Sequence, residues 1–211
     1  MARPALSPRR LLGIDRSGGP PPETVKGQPL RPWTVPNIVS YLRLALLPVF
    51  LVVALGSGDG RDPVAFVLFV VIAWGDQLDG LAARITGQYS RLGALLDPLT
   101  DRALVICGVV VCWHFALLPR WALAVLVARE LLMLALTQVG MRAGMDLRIN
   151  MVGRWAVWPV MGAIALALAV DTWVATALLY VGLALTLWAT AIYLADGVRF
   201  LQARRRPSSS T

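Results

Sequence analysis

The chain has 211 residues, 57% of them hydrophobic and only 15% charged, with a formal net charge of +8. A soluble globular domain is nearer a quarter charged, so this balance excludes one and fits a polytopic membrane protein with room for about six spans of roughly 20 residues. The basic residues lie in flanks and short loops and form no continuous stripe with interleaved aromatics, which argues against nucleic acid as a partner.

Residues 1–32 carry Pro, Gly and Arg, including Gly18-Gly19-Pro20-Pro21-Pro22, and cannot bury a core. They are expected to form a disordered cytoplasmic tail, with no secretory signal because the first apolar run starts too late. Trp33-Thr34-Val35-Pro36-Asn37 then leads into a first span over 38–55, with Ser40 and Arg43 early in it at interface depth. A turn at 56–62 precedes a second span from 63 to 74, which ends in an aspartate-rich motif. A third span is expected over 93–116, and Pro119 breaks the chain before a fourth over 121–141. A polar loop at 142–150, a fifth span over 153–170, a turn at Asp171 and a sixth span over 172–195 follow. The reading is one all-α membrane domain of six transmembrane helices over 33–200, with a basic cytoplasmic tail at 201–211.

With both termini inside, the inner segments hold Arg84, Arg91, Arg142, Arg148, Arg154 and the tail arginines, while the outer turns hold Arg61 and Arg120. That asymmetry is the positive-inside pattern, and the eight tryptophans, several at span ends, suit an aromatic belt. Cys107 and Cys112 share one apolar segment and read as small buried hydrophobes, implying neither disulfide nor zinc site. His114, beside Trp113 toward the outer face, reads as an interfacial residue.

The chemistry concentrates in Asp76-Gln77-Leu78-Asp79-Gly80-Leu81-Ala82-Ala83-Arg84 and Gly93-Ala94-Leu95-Leu96-Asp97-Pro98-Leu99-Thr100-Asp101. Carboxylates this close to hydrocarbon are costly unless paired or bound to metal. Asp76 and Asp79 are three apart and Asp97 and Asp101 four apart, so each pair shares a helix face, and antiparallel neighbouring helices let the pairs converge. Four negative charges with all-oxygen ligation suit two divalent cations, Mg²⁺ or Mn²⁺. Two such ions clamp the attacking and leaving oxygens of a phosphoryl displacement. Gly80, Ala83 and Gly93 are small where a nucleotide needs close approach, and Arg84 is placed to receive a phosphate. Any one of these aspartates alone reads as a helix cap or solvated residue.

The pattern Asp-x-x-Asp-Gly-x-x-Ala-Arg, eight residues, Gly-x-x-x-Asp-x-x-x-Asp is similar to the signature of the CDP-alcohol phosphotransferase family, with every signature position present. The resemblance implies six helices around a polar cavity open to the cytoplasm, a homodimer in the cell membrane, and phosphatidyl transfer from CDP-diacylglycerol to an alcohol with release of CMP. It implies that Asp76 and Asp97 touch both metals, Asp79 one, and that Asp101 ligates the second and acts as general base. Gly80, Arg84 and Ser90, with Asn37 and Ser40 of the first span, correspond to nucleotide and diphosphate contacts. Ser90 as an ordinary loop residue and Asn37 as a helix cap are the plain alternatives.

For the acceptor, Thr34-Val35-Pro36-Asn37 and Arg129-Glu130 resemble the branch of phosphatidylglycerophosphate and bacterial cardiolipin synthases. Where the glycerophosphate enzymes tend to carry a second Arg-Glu, this chain has Thr137-Gln138, and it has Gly153-Arg154-Trp155 where they tend to carry lysines. Fewer clustered cations suit a less charged acceptor, so phosphatidylglycerol, giving cardiolipin, is expected ahead of glycerol 3-phosphate. Arg148 and Arg154 are candidate contacts for the acceptor phosphate, or else ordinary inner-loop charges. Arg129-Glu130 reads either as an ion pair holding two helices or as an acceptor contact. A divalent-cation transporter is a remote alternative, because spans two and three are apolar beyond the motif.

Overall fold

The computed structural model describes residues 32–86, 90–142 and 151–205, and these form six α-helices and no strand. They are α1 (Val35–Gly56), α2 (Pro63–Thr86), α3 (Arg91–His114), α4 (Arg120–Arg142), α5 (Met151–Ala169) and α6 (Trp173–Arg205). The all-α expectation holds. Two stretches, Val35–Gly56 and Trp173–Ala195, are long and apolar enough to cross a membrane, and Pro63–Gly75 and Ala156–Ala169 are shorter apolar runs.

Side chains set the helix starts. Thr34 accepts the Asn37 N–H at 3.4 Å, with Pro36 in the first turn of α1. Asp62 accepts the N–H groups of Val64 and Ala65 at 2.7 and 3.0 Å, ahead of Pro63. Ser90 accepts the Gly93 N–H at 2.9 Å, and Thr172 accepts that of Val174 at 3.3 Å. Each satisfies a donor that has no partner within its helix. Gly58 and Gly60, at φ of +87° and +80°, form the turn between α1 and α2. At the end of α3, Ala116 takes φ +53° and the Leu117 N–H reaches back to the Cys112 carbonyl at 2.9 Å.

The second helix carries the aspartate motif as expected, since α2 continues unbroken through it to Thr86. The sixth apolar stretch ends at Ala195 as expected, but α6 runs on to Arg205, past the expected start of the tail at 201. Hydropathy marks where an apolar span ends; the helix itself ends where propensity or a breaker stops it, and no proline occurs between Ala195 and Pro207. The expected N-terminal tail lies, but for Pro32, outside the described residues, as does the loop 143–150.

The described residues fall into two compact units. One holds the residues up to Gly58 with Asp62–Gly108; the other holds Asp59–Arg61 with the residues from Val109 onward.

In the first unit α1 and α2 pack through Leu47, Phe50 and Ala54 against Ala65, Phe69 and Ile72, with the Phe50 and Phe69 rings 5.6 Å apart. The buried stripe of α1 begins with Asn37, Ser40 and Arg43 and turns apolar only at Leu47. Its partner surface is the reverse of a soluble protein's: Leu42, Val52 and Trp74 are exposed while Asn37, Ser40, Arg43 and Thr100 are buried. Apolar outside and polar inside is the arrangement a lipid solvent selects.

In the second unit α5 and α6 pack closely, with Gly182 so near that a β-carbon on it would lie 2.6 Å from Val160 Cγ2 and 3.0 Å from the Val160 backbone N. Small residues Ala156, Ala163, Ala167 and Ala175 are buried there, as helix contacts in lipid favour. Arg129 of α4 donates from Nε to Thr190 Oγ1 of α6 at 2.9 Å and pairs with Glu130 of its own helix, so it is the hydrogen bond to Thr190, and not the ion pair, that links two helices.

Candidate active site

The polar end of the first unit is built by three helices. α1 and α2 run antiparallel, since Arg43 meets Ile72 while Phe50 meets Phe69. α1 and α3 run parallel, since Asn37, Ser40 and Arg43 pair in that order with Ser90, Asp97 and Asp101. The start of α1, the far part of α2 and the start of α3 therefore come to one end.

Ser90 Oγ donates to Asn37 Oδ1 at 2.7 Å, and the Asn37 carboxamide N–H donates to the Pro32 carbonyl at 3.1 Å. Thr34 is thus the cap of α1 and Ser90 that of α3, while Asn37 is a fully buried link between the two helix starts. Gly93 is small for this link, because a β-carbon there would sit 2.7 Å from Asn37 Oδ1 and 3.2 Å from Ser90 Oγ. Ser40 Oγ lies 3.0 Å from Asp97 Oδ1 and 3.3 Å from the Pro36 carbonyl. A hydroxyl has one proton to give, and the nearer, charged acceptor is the stronger partner.

Arg43 is the residue to which the sequence alone assigns no role. It is 3% exposed, donates from Nε to the Ile72 carbonyl at 2.9 Å and from Nη2 to Asp101 Oδ1 at 2.7 Å. The signal for it is periodic: 37, 40 and 43 continue the register of 47, 50 and 54, so polar residues occupy the buried stripe of an otherwise apolar helix.

The structure brings together five of the candidate residues: Asn37, Ser40, Ser90, Asp97 and Asp101. Asp76, Asp79, Gly80 and Arg84 lie on α2, where 76 and 79 extend the register of the buried 65, 69 and 72, but their side chains lie outside the described part. Arg148 lies outside the described residues, and Arg154 falls in the first turn of α5, its side chain likewise outside. Among the described residues no three His, Cys, Asp or Glu side chains stand together. The described groups at Asp97 and Asp101 are carboxylate and hydroxyl oxygens with the Arg43 guanidinium beside Asp101, and oxygen donors of this kind fit a hard divalent cation.

Residues 33–188 match the CDP-alcohol phosphatidyltransferase family. The chain belongs to that family. It is similar to the cardiolipin synthase (CMP-forming) of Streptomyces coelicolor, 34% identical over 93% of this chain and 95% of that one. It is also similar to two proteins named CDP-diacylglycerol–glycerol-3-phosphate 3-phosphatidyltransferase. The one from Salmonella typhimurium is 31% identical over 77% of this chain and 93% of that one. The one from Bacillus subtilis is 30% identical over 60% of this chain and 72% of that one. This family member is a membrane phosphatidyltransferase of phospholipid synthesis.

Proposed function

We propose that the chain transfers the phosphatidyl group of CDP-diacylglycerol to a hydroxyl of phosphatidylglycerol, forming cardiolipin and CMP. The observation that carries the chemistry is the α1–α3 polar cluster, which holds Asp97 and Asp101 at the buried end of an apolar helix set. The acceptor is supported by the near full-length similarity to the Streptomyces protein and by Arg154-Trp155 in place of a lysine cluster.

In this reading Asp101 takes the proton of the acceptor hydroxyl as its oxygen bonds to the phosphatidyl phosphorus. The bond from that phosphorus to CMP breaks, and CMP leaves with the electron pair. Asp76, Asp79, Asp97 and Asp101 would hold two cations, Mg²⁺ or Mn²⁺, which when bound neutralise the diphosphate and lower the pKa of the hydroxyl. Ser40 orients Asp97; Asn37, Gly80, Arg84 and Ser90 form the CDP side of the site; Arg148 and Arg154 serve the acceptor phosphate. The protein crosses the cell membrane six times as a homodimer, with both termini cytoplasmic.

An acceptor panel tests this. Purified protein with Mg²⁺ or Mn²⁺ and CDP-diacylglycerol is offered phosphatidylglycerol, glycerol 3-phosphate or inositol phosphate, and products are identified by mass. Cardiolipin, lost on chelation and restored by Mg²⁺ or Mn²⁺, is expected. The relatives named for glycerol 3-phosphate favour a second reading, and phosphatidylglycerophosphate without cardiolipin would establish it.

A further inference from the structure

We propose that Arg43 is the positioning residue for Asp101, and that it fixes the α3 carboxylates against those of α2 by holding the Ile72 carbonyl with the same guanidinium. The inference deepens the reaction assigned above and rests on Asp101 being the base.

Three observations converge on it. The guanidinium is anchored on two different helices, through Nε to Ile72 of α2 at 2.9 Å and through Nη2 to Asp101 of α3 at 2.7 Å. Ile72 lies four residues before Asp76, so in the α-helix its carbonyl also accepts the Asp76 backbone N–H. One planar group thus ties the carbonyl one helical turn before the α2 aspartate motif to the carboxylate that ends the α3 motif. Gly75, the residue before Asp76, leaves the space for it: a β-carbon there would lie 2.5 Å from Arg43 Cδ and 2.8 Å from Cγ and Nε.

The alternative is an ion pair that only fastens helices. An ion pair whose carboxylate is 39% exposed adds little net stability, and apolar residues would fasten these helices as well. The fork is specific where a plain fastening is not. Lysine has the charge but no rigid plane to reach a carbonyl and a carboxylate in fixed directions. An error of about 1 Å in a reacting group costs on the order of 10²-fold in rate, so fixing Asp101 is where such rigidity matters.

The test uses the purified full chain with Arg43→Lys, Arg43→Met and Gly75→Ala. Gly75→Ala removes no polar group and only displaces the Arg43 stem. Three quantities are read: kcat and KM for CMP release, Mn²⁺ affinity from the electron paramagnetic resonance of free Mn²⁺, and the melting temperature. Arg43→Lys and Gly75→Ala are expected to lower kcat about 10²-fold with KM for CDP-diacylglycerol changed less than about threefold. They are expected to weaken Mn²⁺ binding about tenfold, as loss of a ligand's supporting contact does. In an Asp101→Asn background, Arg43→Lys is expected to leave Mn²⁺ affinity unchanged, since its effect passes through that carboxylate.

Should Arg43→Met not fold, the lysine and alanine variants decide. Wild-type kcat in both overturns the proposal, and so does a fall in melting temperature or a rise in KM alone. An equal Mn²⁺ effect with and without Asp101 would also overturn it, as a merely structural role predicts. If wild-type protein released no CMP with any acceptor, the reaction assignment would fail, while the Mn²⁺ measurements would still decide the role of Arg43.

Discussion

Replacing Ser40 by alanine removes one hydroxyl and little else, which makes it a clean probe of Asp97. Ser40 is 1% exposed and its Oγ lies 3.0 Å from Asp97 Oδ1. A hydrogen bond to a charged group contributes about 1.5–3 kcal/mol, and each 1.36 kcal/mol of transition-state stabilisation is tenfold in rate. The full range is thus on the order of 10- to 150-fold. Asp97 is half-buried, so water can replace the lost donor, and the low end, about tenfold in kcat/KM, is expected. The assay is CMP release at varied CDP-diacylglycerol, with Ser40→Thr as the control that keeps the hydroxyl and loses less than about threefold. A kcat/KM for Ser40→Ala within twofold of wild type would refute the reasoning, as would a threonine variant as impaired as the alanine one.

Two further predictions concern close approaches of helices. Gly93→Ala puts a methyl group 2.7 Å from the buried Asn37 Oδ1 and should break the Ser90–Asn37 bond. The lost buried bond costs about 1–3 kcal/mol and the better helix former returns up to about 1 kcal/mol, so a net loss of about 1–2 kcal/mol should appear as a lower melting temperature. Gly182→Ala meets Val160 Cγ2 and the backbone of α5, which cannot rotate away, and should destabilise by about 1–3 kcal/mol in the same measurement; an unchanged melting temperature would contradict the α5–α6 packing.

How much the sequence discloses depends on how local each property is. The aspartate spacing is local, and by itself it identifies the carboxylate-bearing helices. Helix starts at Thr34, Asp62 and Thr172 also fall near the expected boundaries, because capping depends on a few neighbouring residues. The sixth apolar stretch ends at Ala195 as expected, but α6 itself runs on to Arg205, because an apolar window reports the span and not the helix. In sequence Gly93 reads as room for a nucleotide, whereas the neighbour that fills this space is the Asn37 carboxamide, 56 positions earlier (93 minus 37). Arg43 is visible as a polar residue in an apolar span, yet its partners are 29 and 58 residues away in sequence. No spacing rule within α1 could select Ile72 and Asp101 from the alternatives. The acceptor residues are least legible, since a few cations in a loop acquire a target only through tertiary placement.

The position of the site follows from where each helix of the first unit is polar. α1 and α3 carry polar residues in their opening turns, at Asn37, Ser40 and Arg43 and at Asp97 and Asp101, and α2 carries its aspartates after the apolar stripe of Ala65, Phe69 and Ile72. In an up-down-up order the starts of the first and third helices and the end of the second coincide, so polar first, polar last, polar first gathers Arg43 and the two aspartate motifs at one end. Reversing the polarity of α2 alone would send Asp76 and Asp79 to the opposite end, leaving Arg43 with one pair of aspartates. The apolar stripes then have a second task besides burial. By fixing the axial register through contacts such as Phe50 on Phe69, they set the height at which Arg43 crosses from Ile72 to Asp101. In the membrane placement proposed above that register is hard to change, because sliding a helix by one turn would carry a carboxylate toward lipid.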